Sequence, residues 1–460
     1  MRFPFSLFLA LLGAFSAFAQ SSIPTVRTRE DFVWIRLNGE KGRFSKINET
    51  PNPFYFSITA RKTGSAVQLI SEQDSISILL YPEKTTVFRI VRQAKGDTLT
   101  CHFLGVPEAA IFSEAYQKAN RGKTTVEIPE VYELLNVVFA LTAQSRKDEN
   151  LIYDKTPYYE EVQKHFAPWR QHPAVQRLDS MLAAGSYHSL KMDSYAFVFQ
   201  GDKLVNGGIY DRISWEDKNT LSPSLPLLAD FARTSGFRQF YRQHRPYYTS
   251  LTDEYRREID VASMKKWLEA QFPRTRYDGI RVIFSPLVAY NQSANRFENN
   301  GYKEAQAHVN FPYKNPKSSA TPKVQQAIRM VIIFTELNHN YLNPEAERYD
   351  KQIKEAFENL KFWTAGKASD HYQDPFTCFA EYMNYALVTL YFSDIFDAQT
   401  AENRRKATEE NMVGNRGFSR FAEFDQELLR LYKTRQPGQT VADLFPAILE
   451  WAGKVRMNNE

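Results

Sequence analysis

Between residues 31 and 106 the chain runs in short apolar-rich stretches, at 32–37, 54–59, 66–70, 76–81, 86–91 and 98–103. They are broken by Asn38-Gly39, Pro51-Asn52-Pro53, Lys62-Thr63-Gly64 and Lys95-Gly96-Asp97. Runs of this length and residue type bury one face of a strand, and the breaks carry turn chemistry. The pattern predicts about six or seven short strands in an antiparallel β-sandwich.

From Val126 onward the period changes. Pro129 sits at a helix start and apolar residues recur at helical spacing up to Leu141. Further helices are expected at 157–166, 174–184, 225–234, 237–243 and 253–272. A β run at 279–284 follows, then a polar loop at 291–300 and an edge strand at Ala307, His308, Val309, Asn310 and Phe311. Helices resume at 324–342, 344–363, 376–395, 418–432 and 441–451, with Asn343-Pro344 read as a stop followed by a start. The fold class is therefore α+β, an N-terminal antiparallel β-sandwich at 20–115 followed by a mainly helical domain with a small sheet at 116–460.

Residues 1–19 combine Arg2, an apolar run and the small residues Ala17 and Ala19 before Gln20. That is the pattern of a signal peptide cleaved near Ala19-Gln20, which places the mature chain in a secreted or periplasmic setting. No later stretch offers about 18 consecutive apolar residues, so no integral membrane protein is expected after signal removal. Loss of Arg2 takes the formal net charge from +5 to +4, spread along the chain, which argues against nucleic acid as a partner. Cys101 and Cys378 fall in different predicted domains, and the sequence leaves open a bridge between them or two buried, unpaired thiols.

The chemistry concentrates at Thr335-Glu336-Leu337-Asn338-His339. Two histidines four apart on a helix grip zinc in the H-E-x-x-H pattern, and the glutamate between them handles protons for the attacking water. Here Glu336 and His339 remain and Thr335 stands at the first ligand position. A threonine hydroxyl is a poor zinc ligand, and losing one of four ligands costs roughly 3 to 4 kcal/mol of metal affinity. Glu381, on a later helix, is the candidate third ligand, and Glu336 the candidate general base. Tyr341, Tyr382 and Tyr385 are candidate oxyanion donors, and His308 and His371 the nearby histidines that could replace the missing ligand. The residues Ala307 to Phe311 are the candidate edge for an extended peptide. An E-x-x-H spacing also arises by chance, as an ordinary buried Glu–His pair.

At Ile128-Pro129-Glu130-Val131-Tyr132-Glu133-Leu134-Leu135, Phe284-Ser285-Pro286-Leu287, Glu336-x-x-His339-x-Tyr341-x-Asn343-Pro344 and Glu381, the chain resembles a secreted bacterial family of uncharacterised function with a gluzincin-type metallopeptidase core. The resemblance covers residues 126–396. It implies a zincin-like fold, zinc held by His339 and Glu381, and a base at Glu336. The family typically carries histidine where this chain has Thr335, so the implied zinc is weakened or absent. The resulting expectation is a secreted zincin-like metallopeptidase-type protein acting on or binding peptides or proteins. The alternative is a non-catalytic peptide- or glycan-binding protein that retains the peptidase fold.

Overall fold

The computed structural model describes residues 23–37, 40–315 and 317–457; residues 1–19, expected as a leader, and the turn expected at Asn38-Gly39 lie outside them. The chain divides after Glu108 into two compact units. The sequence boundary at 115 falls a few residues later, inside the Glu114–Asn120 helix.

Among its described residues the first unit contains eight strands: β1 (Thr25–Thr28), β2 (Phe32–Leu37), β3 (Glu40–Ser45), β4 (Phe54–Ala60), β5 (Ser65–Ile70), β6 (Ser75–Leu80), β7 (Thr85–Arg92) and β8 (Asp97–Pro107). They form two four-stranded sheets, β3-β2-β5-β6 and β1-β7-β8-β4. The first is antiparallel throughout. In the second, β7 and β8 form an antiparallel hairpin, but β1 joins β7 and β4 joins β8 in parallel, so the expected all-antiparallel arrangement is corrected there. Alternating residues such as Val67, Leu69, Phe88, Ile90, Leu99 and Phe103 are fully buried and form one core. Period-two patterning does not encode strand direction.

The second unit carries β9 (Thr124–Glu127), a small hairpin of β10 (Phe197–Gln200) and β11 (Lys203–Asn206), and a sheet completed by β12 (Gly279–Ser285), β13 (Ser293–Asn299) and β14 (Tyr302–Asn310). The sheet order is β13-β14-β12-β9. Strand β12 is parallel to both β14 and β9, and β13 returns antiparallel to β14. This corrects the sequence reading twice. Ala307, His308, Val309 and Asn310 belong to an interior strand paired on both sides, with Phe311 just beyond its end. The edge is β13, inside the segment read as a polar loop.

What makes that segment a strand is its turn. Asn300 and Gly301 have φ of 51° and 73°, the left-handed pair that a two-residue hairpin loop requires. Asn299 and Tyr302 close the loop as a hydrogen-bonded pair. Alternation then turns the main-chain groups of Ala294, Arg296 and Glu298 away from β14, toward the sheet edge, where the Arg296 amide donates to the Asn295 side-chain oxygen at 2.7 Å.

Two helices cross near this edge. The Pro322–Ala346 helix starts with Thr321 as N-cap and Pro322 in its first turn, and it packs against β13, β14 and the Pro375–Ile395 helix. It does not stop at Asn343. Pro344 lacks the N–H that would bond the carbonyl of Asn340, and the Tyr277 hydroxyl donates to that carbonyl instead at 2.6 Å. The segment expected as one helix at 344–363 is broken into the end of this helix and the short turns Glu347–Tyr349, Asp350–Ala356 and Leu360–Trp363.

Among the described residues no helix is long and apolar enough to cross a membrane. Cys101 and Cys378 are both buried and free.

Candidate functional site

Helical spacing sets Thr335, Glu336 and His339 toward one cleft, and Asn343 a turn further on lines it too. The Pro375–Ile395 helix is fixed at its start by Asp374, whose carboxylate accepts from the Thr377 amide at 3.0 Å. Packed against the first helix, it brings Glu381, Asn384 and Tyr385 to the same cleft. His339 Nε2 lies 3.7 Å from a Glu381 carboxylate oxygen and 2.8 Å from Asn384 Nδ2. Two residues on separate helices, selected from sequence as a pair, do meet.

A third side chain joins them from a turn of no recognisable motif. Residues Asn411–Arg416 form a wide helical turn that ends at Gly417, whose φ is 88°. A side chain on Gly417 would collide with the Ala365 carbonyl, and Ala365 N–H donates to the Gly417 carbonyl at 2.8 Å. This junction holds Arg416 in place. Its Nη2 pairs with Glu381 at 2.7 Å and donates to the Tyr372 hydroxyl at 2.9 Å, and its guanidinium lies 4.7 Å from the centre of the Tyr385 ring. Burial pushes the Glu381 carboxyl up, but Arg416 and His339 outweigh it and hold the group below its ordinary range.

Glu336 behaves oppositely. Burial, helped by the charge of Glu381, pushes its carboxyl up to about 7 against the pull of His339, Lys191 and Arg416. Lys191, fully buried, is pushed down to about 7 by its own burial, opposed by Glu336. Its ammonium donates to the Asn291 carbonyl at 2.5 Å, so it also ties down the turn that leads into β13.

The cleft has a volume of about 1210 Å³. One part of its wall is the Tyr290–Gln292 turn with Ser293 to Arg296 of β13. The rest comes from the two helices, from Lys367, Ala368, His371 and Tyr372, from Asn411, Asn415 and Arg416, and from Asn150, His188 and Trp215. Trp215 and Tyr290 stand exposed at its rim. A smaller recess of about 530 Å³, bounded by Arg146, Asp148, Asp154 and Tyr159, holds no comparable constellation.

Of the tyrosines suggested as oxyanion donors, only Tyr385 lines the cleft. Tyr341 is fully buried edge-on to Tyr277, and the Tyr382 hydroxyl donates to the Trp363 carbonyl at 2.6 Å; neither faces the cleft. Both lie on helix faces turned into the core. His308 is buried on β14, with Nε2 3.1 Å from the Gln306 side chain, and does not line the cleft; His371 does.

A catalytic zinc needs three protein donors and an open position. Here His339 offers one nitrogen, the Glu381 carboxylate already faces a guanidinium, and the Thr335 hydroxyl donates to the Ile332 carbonyl of its own helix at 2.9 Å. Among the described residues no group of three or more His, Cys, Asp or Glu side chains is placed to hold a metal ion. This donor set does not fit a catalytic zinc. Arg416 and Lys191 were not visible from sequence, because each acts from a separate element with no fixed spacing to His339; Asn384, three residues after Glu381 on the same helix, had a spacing signal that the sequence reading did not use.

No protein-family profile, curated protein or solved structure matches this chain.

Proposed function

We propose that this is a degenerate zincin-like protein, exported by its leader, that binds extended peptides in its cleft without metal. The observation that carries the reading is the free edge of β13 along the cleft that holds Glu336, His339 and Glu381. A sheet edge with outward N–H and C=O groups pairs with an extended chain, and side-chain recesses beside it supply selectivity. The helix-and-edge arrangement supports the zincin-like assignment, and Thr335 together with the Arg416–Glu381 pair supports loss of the metal.

The test is retention of randomised hexapeptides by the immobilised protein in the presence of a chelator, compared with Ala294→Pro. Proline removes the outward N–H at position 294 but is tolerated at a sheet edge. Peptides are expected to be retained by the wild type and at least tenfold less by the variant. Equal retention by both would show that β13 is not the docking edge.

A further inference from the structure

Thr364 and Phe418 form an isolated β-bridge, and Ala365 and Gly417 share a backbone hydrogen bond of 2.8 Å. Lys367 and Arg416, each within two residues of this junction, both line the cleft. The charged groups lining the cleft are Arg296, Lys367 and Arg416 against Glu336 and Glu381. Arg296 is paired with Glu347 at 2.9 Å, outside the lining, and Arg416 with Glu381 at 2.7 Å. Lys367 is exposed and has no ion-pair partner among the described residues.

Arg416 retains binding capacity. Its Nη2 is used by Glu381 and Tyr372, but the hydrogen bond formed by Nη1 goes to the Met412 sulfur at 3.5 Å, a weak acceptor that an oxygen anion would displace. A guanidinium held by a carboxylate and two tyrosines, with an unpaired ammonium lining the same cleft, offers a carboxylate both a fork of N–H donors and a second positive charge.

We propose that Arg416 and Lys367 bind a carboxylate of the peptide, so that the cleft selects acidic or free-C-terminal ligands; this rests on the peptide-binding reading. A chain paired along β13 runs past the helix of Glu336 and His339, which packs against both β13 and the Glu381 helix. Its carboxylate meets Lys367 and Arg416, which line the same cleft.

The test uses the full mature chain and three randomised hexapeptide pools. One lacks Asp and Glu and has a free C-terminal carboxylate, one lacks them and is amidated, and one is amidated but contains Asp and Glu. At least tenfold greater retention of the first or third pool over the second is expected, and which of the two leads identifies the carboxylate as terminal or side-chain. Lys367→Gln, at an exposed position, is expected to reduce that preference at least threefold, and Arg416→Gln to abolish it. Equal retention of all three pools overturns the inference and leaves peptide binding standing. Retention of none overturns both. A preference unchanged in folded Lys367→Gln and Arg416→Gln removes these two cations as its source.

Discussion

At the scale of single residues, the E-x-x-H motif and Glu381 were legible because helical spacing and residue type suffice to nominate them. Their neighbours were not. Arg416 reaches Glu381 from a separate turn, and Lys191 acts on Glu336 from another helix. Glu336 has a testable pH signature. Its carboxyl lies at about 7 in the folded chain against an ordinary 4.5, so folding favours the protonated form. Stability from this group is present in full below the ordinary value and is lost as pH rises through about 7. Glu336→Gln is expected to escape that loss, gaining roughly 1 to 3 kcal/mol on the wild type between pH 4.5 and 8, after allowance for its partial exposure. Urea denaturation across that range checks it; a parallel pH dependence in both proteins would remove Glu336 as its source. Thr335 stands where a zinc-binding helix would carry histidine. Thr335→His alone leaves Glu381 paired with Arg416 and is expected to gain little zinc affinity. Thr335→His with Arg416→Ala is expected to gain about a hundredfold or more, the worth of roughly 3 kcal/mol. Zinc titration calorimetry separates the two, and a full gain in the single variant would show that Arg416 is no obstacle.

At the scale of elements, the two helices that carry the site were legible in position but not in extent. Asn343-Pro344 signals a stop by local rules, yet the helix continues because Tyr277 satisfies the carbonyl that Pro344 leaves free. Tyr277→Phe is expected to orphan the buried Asn340 carbonyl and to cost about 1 to 3 kcal/mol in thermal or chemical unfolding. A change within about 0.5 kcal/mol, the range of ordinary surface substitutions, would contradict that account of the helix end. The edge strand shows the opposite failure. Its asparagine-rich sequence reads as loop, but Asn300-Gly301 carries a hairpin signal that outweighs composition. Recognising that dipeptide turns the polar loop into β13 and makes β14 an interior strand.

At the scale of the whole molecule, the chain separates into two units, each with its own buried cluster. The change from period two to helical period announced that division, because it reflects which face each element buries. Parallel pairing of β1 with β7 and of β4 with β8 was hidden, since strand direction is decided by long-range contacts. Every residue lining the cleft belongs to the second unit. A fragment spanning 109–460 is therefore expected to retain the hexapeptide affinity of the full chain within about threefold, less than 1 kcal/mol, by fluorescence polarisation. A loss beyond tenfold would assign the first unit a part in binding.

We infer that the cleft in which Arg416 faces Glu381 binds peptide without metal. Zinc content after zinc exposure and gel filtration, measured by elemental mass spectrometry on the wild type and on His339→Ala, tests it most directly. Far less than one zinc per chain is expected in both proteins. Near-stoichiometric zinc in the wild type that disappears in His339→Ala would contradict it and restore the metallopeptidase reading.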